Sequence, residues 1–176
     1  LTLADTLTPC VLWVDELEKG LAQGNSDDGL TQRILGTLLT WMSERKSRVF
    51  MVATCNNIQQ LPAELMRKGR FDEIFFVDLP SKAVRIQIFN IHLKKRKLDP
   101  SSYDTQRLAD ATQGFTGAEI EQAVVSAIYS ASARKREPDT DSILNAVVKT
   151  SPLSVVMAEP MSALRLWAQD RAVSAD

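Results

Sequence analysis

Cys10-Val11-Leu12-Trp13-Val14-Asp15-Glu16 is a short apolar run that stops abruptly at two adjacent carboxylates. A run of this length reads as a strand buried on both faces, the kind found in parallel sheets. Acids at its C-terminal end put negative charge where open α/β sheets bind ligands, just outside the carboxyl ends of the strands. Taken alone, the heptad also fits a buried strand with a solvated acidic end.

Outward from the heptad, residues 17–29 turn polar and glycine-rich (Gly20, Gly24, Gly29), which reads as a loop. Gly24 and Gly29 have the spacing of a phosphate-binding loop and Thr31 follows, but Leu30 stands in the lysine position and no strand leads in directly, so an ordinary loop is expected. Ile34, Leu35, Leu38, Leu39 and Met42 recur at helical spacing and predict a helix over 30–44. Residues 49–53 form a second apolar run, ending in Thr54-Cys55-Asn56-Asn57. After a turn at Pro62, a short helix is expected over 63–67, broken at Gly69, and then a third strand over 74–77.

From Ser81 onward the pattern predicts helices only. Ser81 is an N-cap candidate for an amphipathic helix through Ile88 and Phe89. A short helix over 104–112 stops at Gly114, and Thr116 and Glu119 have capping-box spacing ahead of a long helix through Ile120, Val124, Ala127 and Ala131. Another helix starts at Asp139 or Asp141, and a last one covers 161–171. Strands with helices followed by helices alone imply an α/β part over 1–80, an all-α part over 81–150 and a helical extension over 151–176.

Bulk properties narrow the function classes. The 176 residues suffice for one core, or for one core with a satellite. With 21 basic against 22 acidic residues and 44% hydrophobic residues, the chain does not read as a nucleic-acid arm or a disordered tail. No apolar run approaches ~20 residues, so no membrane span is expected. The N-terminus has neither the basic start nor the cleavage site of a signal peptide, and it lacks a first methionine, so a processed chain or a fragment is expected. Cys10 enters one strand and Cys55 leaves the next; on parallel neighbours they fall at opposite ends, too far apart for a disulfide, and free thiols suit a reducing cytoplasm.

Four local signals then fall in order: Asp15-Glu16; Asn56 after the second strand; Met66-Arg67-Lys68-Gly69-Arg70-Phe71-Asp72 before the third; and Gly114-Phe115-Thr116-Gly117-Ala118-Glu119-Ile120 at a helix start. Asp15-Glu16 with its strand resembles a Walker B motif, and the four together resemble the second half of an ATPase module of the AAA family, over about residues 9–133. Residues 67–77 and the tail over 152–172 are most similar to a poorly characterised bacterial and algal-plastid branch, the Ycf forty-six type. The resemblance implies a partial P-loop NTPase parallel sheet with flanking helices, an all-α lid subdomain, and a cytoplasmic or plastid-stromal location. It implies ATP and Mg²⁺ as cofactors, with Asp15 as the metal-linked acid, Glu16 as general base and Asn56 as the sensor of the γ-phosphate. It also implies that Arg70 is an arginine finger acting in trans in a ring, expected to be a homo-hexamer that remodels a macromolecule. Gly117 and Ala118 would line adenine and ribose, and His92, the only histidine, matches a nucleotide-contacting position.

The chain departs from the family pattern in several places. Glu73 stands where many members carry a second arginine, and Ser43-Glu44-Arg45 replaces an Asp-Gly-Phe segment that couples subunits. Gly-x-x-x-x-Gly-Lys-[Ser/Thr] does not occur in these residues. In the family that loop lies upstream, and its strand separates the second and third strands found here, so no continuous three-stranded sheet is expected and the chain alone is expected to be inactive. Residues 20–29 match a second pore loop or a plain connection. Two other readings are a non-hydrolysing regulatory scaffold and a nucleic-acid motor. The balanced charge counts against the motor, and Lys94-Lys95-Arg96-Lys97 and Arg134-Lys135-Arg136 read as cations complementing helix C-termini.

Overall fold

A computed structural model describes residues 1–21 and 28–175, apart from the side chain of Asp28. Gly24 and most of the segment compared above with a pore loop lie outside the described residues. The chain forms two compact units, one of residues 1–75 with 170–173, the other of residues 76–169 with the chain end from Ser174.

The first unit opens with helix α1 (Thr2–Thr6), held by Asp5, whose carboxylate accepts hydrogen bonds from Trp41 Nε1 (2.8 Å) and from Ser47 Oγ. Strand β1 (Cys10–Val14) pairs in parallel with β2 (Val49–Ala53), in register from Cys10↔Val49 to Val14↔Ala53. Between them run helices α2 (Leu17–Leu21) and α3 (Asp28–Glu44). Leu17, Leu21, Leu38 and Leu65 are buried together, with Val14, Leu35, Leu39, Met51 and Phe71 packed against them.

Three expectations are corrected here. Residues 17–21 are helical rather than loop, because Leu17 and Leu21 lie four apart and both face this core. Residues 63–66 form turns rather than a helix, with Leu65 N–H bonded to Pro62 O and Met66 N–H to Ala63 O; the six residues between Pro62 and Gly69 are too few to propagate one. Strand β1 is not buried on both faces. Val11 is 65% exposed and Trp13 61%, and Val11's register partner Phe50 is 68% exposed, so one face of the pair is bare.

Strand β3 is only Phe75–Phe76, and it pairs with a strand absent from the sequence reading, β4 (Val173–Ser174). Val173 N–H bonds Ile74 O at 2.8 Å, and Ala175 N–H bonds Phe76 O at 3.0 Å. The described strands thus make two two-stranded sheets.

The second unit is built from helices α4 (Lys82–Lys95), α5 (Thr105–Ala111), α6 (Gly117–Ala133) and α7 (Thr140–Val148), each starting at a side-chain N-cap. Ser81, Asp104, Thr116 and Asp139 are the caps, and Thr116 with Glu119 completes the capping box. Phe89, Leu93, Leu108, Ile120, Val124 and Ile143 are fully buried at the centre. Each contributes roughly 1.5–3 kcal/mol relative to exposure. Arg85 is buried, yet its guanidinium donates to Ala109 O (3.1 and 3.0 Å) and Pro80 O (2.8 Å), placing the cation at the C-terminal end of α5.

The tail carries α8 (Leu153–Val156) and α9 (Ala158–Ala168) in place of one helix. Leu153 N–H donates to Glu119 Oε1 (2.7 Å), and Arg165 grips Asp78 with Nε on Oδ2 (2.8 Å) and Nη2 on Oδ1 (2.7 Å). That guanidinium holds the Asp78 carboxyl below its ordinary value.

Candidate functional site

The C-terminal ends of β1 and β2 bring together three of the residues read from the sequence. Parallel pairing in register puts Thr54-Cys55-Asn56 beside Asp15-Glu16-Leu17, and the two exits are bonded to one another. Thr54 N–H donates to Val14 O (2.9 Å) and Leu17 N–H to Thr54 O (2.9 Å). Thr54 Oγ1 donates to Asp15 Oδ1 and accepts from Glu16 N–H (3.0 Å). One hydroxyl therefore fixes both acids.

Glu16 has φ +49°, a left-handed conformation that costs a non-glycine residue on the order of 1 kcal/mol or more. This kink lets β1 turn into α2 within two residues while the carboxylate stays half-exposed. Glu16 Oε1 accepts from Asn56 Nδ2 (3.3 Å), and Glu16 Oε2 pairs with Lys19 Nζ (2.7 Å). Asp15 and Asn56 are exposed. The result is a solvent-facing pair of acids with an amide and a hydroxyl placed to orient them.

Sequence reasoning missed Glu18. It is 3% exposed, and Oε1 accepts from Asn56 N–H (2.9 Å), whereas Oε2 is buried without a hydrogen-bond partner. Burial pushes this carboxyl up, but the backbone N–H of Asn56, with further help from Glu18's own backbone, the Cys55 thiol and Asn57, outweighs it and holds the group below its ordinary range. Burial and the Glu18 carboxylate push the Cys55 thiol up to about 11. Both cysteines are free. An acid three residues beyond Asp15, next to Leu17, was the available signal, and it was hidden by reading 17–29 as loop.

Arg70 belongs to the same unit but not to this cluster. It is half-buried, and its Nη1 lies 3.5 Å from Leu39 O, at the outer limit of a hydrogen bond. A cavity of about 410 Å³ adjoins the acids, lined by Val14, Asp15, Glu16, Leu21, Arg33 and Thr37 among others. Among the described residues, no group of three or more His, Cys, Asp or Glu side chains suits a metal ion. A single carboxylate is nevertheless the donor Mg²⁺ uses when waters and phosphates complete its shell.

The second unit carries His92, Gly117 and Ala118. A Cβ at Gly117 would meet Ile88 Cδ1 at 3.6 Å, and one turn further along both helices His92 Nδ1 lies 3.3 Å from Glu121 Oε1. Arg96 also binds Glu121 (2.8 Å) and holds that carboxyl below its ordinary value. His92 thus sits in a charged cluster between α4 and α6, and Ala118 is exposed at the first turn of α6.

Comparison with known proteins places this geometry in context. Residues 1–79 match the ATPase family associated with various cellular activities (AAA), and residues 102–146 match the AAA+ lid domain. An uncharacterised AAA domain-containing protein, ycf46, of Guillardia theta is 46% identical over 94% of this chain, which covers 33% of that protein. The proteasome-activating nucleotidase of Aeropyrum pernix is 34% identical over 84% of this chain and 37% of its own length. The chain therefore spans about a third of the length of these curated relatives. The crystal structure of the FIGL-1 AAA domain in complex with ADP superposes with a TM-score of 0.79 at 19% identity, over 97% of this chain and 61% of that one, which shows a shared fold. Among the described residues no helix is long and apolar enough to cross a membrane.

Proposed function

The chain belongs to the AAA family of ATPases, and from that premise we propose that it supplies the acid and lid portions of a site that hydrolyses Mg-ATP at the subunit interfaces of a ring, driving the remodelling of a macromolecule. One observation carries the reading: Asp15, Glu16, Thr54 and Asn56 are bonded together at the carboxyl ends of two parallel strands. The FIGL-1 AAA domain, which shares the fold, was crystallised in complex with ADP, and this supports an adenine nucleotide as ligand.

Each residue then has a task. Asp15 would hold Mg²⁺, which when bound would neutralise charge on the phosphate oxygens. Glu16 takes the proton of the attacking water. Each of its oxygens has one partner here, Asn56 or Lys19, which leaves a lone pair on each to accept a proton. Asn56 holds the Glu16 carboxylate and orients water against the γ-phosphate. Arg70 reaches the nucleotide of a neighbouring subunit. Gly117 and Ala118 line adenine and ribose and His92 contacts the nucleotide, roles carried over from the family. The phosphate-binding loop motif that such a site requires does not occur in these 176 residues.

Subunit mixing in the natural protein that carries these residues tests the reading. Asp15→Asn and Arg70→Ala are each expected to lower ATP turnover, the latter by about 10³-fold or more. Mixing the two variants restores turnover at interfaces that combine an intact Asp15 with an intact Arg70. Absence of recovery in stable mixed rings contradicts a finger acting in trans, and undiminished turnover in both variants refutes the assignment.

A further inference from the structure

We propose that Glu18 is a positioning residue for Asn56: by accepting the Asn56 backbone N–H, its buried carboxylate sets where the Asn56 amide meets Glu16. The proposal rests on the ATPase reading for its catalytic consequence, and on geometry alone for the anchoring itself.

Three acids occur within four residues, and each meets the exit of β2 at a different point. Asp15 accepts from the Thr54 hydroxyl, Glu16 from the Asn56 side-chain amide, and Glu18 from the Asn56 backbone. Asn56 is therefore held at both ends by carboxylates of one short segment. Its backbone is tied to a buried group and its exposed side chain to a half-exposed one.

The two contacts differ in strength. Asn56 Nδ2 lies 3.3 Å from Glu16, whereas Asn56 N lies 2.9 Å from Glu18. A charge-assisted bond shielded from water is the stiffer of the two. After Thr54 the backbone has left the strand ladder, so this bond is what fixes Asn56 beyond it. Keeping an acid buried with one oxygen unpartnered costs stability, and an apolar residue beside Leu17 and Leu21 would pack there without that penalty. The acid serves the position of Asn56 rather than the core.

A double-mutant cycle in the natural protein, with Mg-ATP as the probe, tests this. Glu18→Ala is expected to lower kcat about tenfold with KM within about twofold, and in an Asn56→Ala background to cost less than about twofold. An equal cost in both backgrounds, or no cost at all, overturns the proposal. Should Glu18→Ala fail to fold, Glu18→Gln is read by amide exchange: the Asn56 N–H exchanges about tenfold faster, and the Thr54 N–H, bonded to Val14 O, is unchanged. Unaltered Asn56 exchange, or equal acceleration of both amides, overturns it. A wild-type protein that does not turn over ATP defeats the ATPase reading, and the exchange measurement, which needs no nucleotide, still decides on Glu18.

Discussion

In the helical unit Phe89, Leu108, Ile120 and Ile143 close on one another in an inaccessible core, while Tyr129, Val148 and Leu166 stay exposed outside it, whereas in the α/β unit Val11, Trp13 and Phe50 lie on an open sheet face. The polar chemistry is divided the opposite way. The α/β unit gathers acids, an amide and a hydroxyl at its strand ends and keeps a strained Glu16 there, whereas the ion pairs of the helical unit mostly stitch helices together. Stability and chemistry are thus concentrated in different parts of the chain. Four capped helices with one core are self-sufficient, but a two-stranded parallel ribbon exposes too much apolar surface to stand as a finished layer.

The sharpest way to break this comparison is to cut into the closed core. Phe89→Ala should destabilise the helical unit by about 3–5 kcal/mol, measured by urea denaturation, with the far-UV helical signal lost first. A smaller effect is expected at the tail contact. Gly114 has φ +82°, and a Cβ there would collide with the Ser154 hydroxyl, so Gly114→Ala should cost about 1–2 kcal/mol and loosen α8, seen as faster amide exchange at Leu153.

The Arg165–Asp78 pair should contribute less, about 1 kcal/mol at most, because both side chains are partly exposed. Arg165 lowers the folded-state pKa of Asp78, so the contribution is present above the ordinary value of 3.8 and is lost as pH falls through the lower folded value. The stability difference between wild type and Arg165→Ala should therefore vanish in strong acid and be full at neutral pH. The smallest effect belongs to the open face. Val11→Thr should change the stability of these 176 residues by no more than about 0.5 kcal/mol. A cost approaching that of Phe89→Ala would mean the face is covered and would undo the contrast between the units.

Most of the helical unit was legible because its signals are local. Ser81, Asp104, Thr116 and Asp139 each announce a helix start by accepting a backbone N–H three residues on, and the apolar spacing behind them names the core. Strands β1 and β2, with the acids at the end of β1 and Asn56 after β2, were legible for the same reason. The failures concern partners distant in sequence. Apolar content marked Cys10–Val14 as a strand but could not say that one face lacks a cover. Strand β4 has only two residues and exists through its bonding with the segment around Phe75–Phe76, almost a hundred residues earlier. Composition hid α2, since Gly20 and Lys19 look like loop until Leu17 and Leu21 are seen to share a core, and Glu18 was hidden with it.

The most direct test of the central claim is turnover by Glu16→Gln in the natural protein, with binding of a fluorescent ATP analogue measured in the same preparation. Glutamine keeps an acceptor for Asn56 but cannot take a proton, so binding should stay within about twofold while kcat falls by about 10²–10⁴. Turnover near wild type with binding intact would contradict Glu16 as the base, and with it the assignment of the Asp15-Glu16 strand end as the catalytic centre.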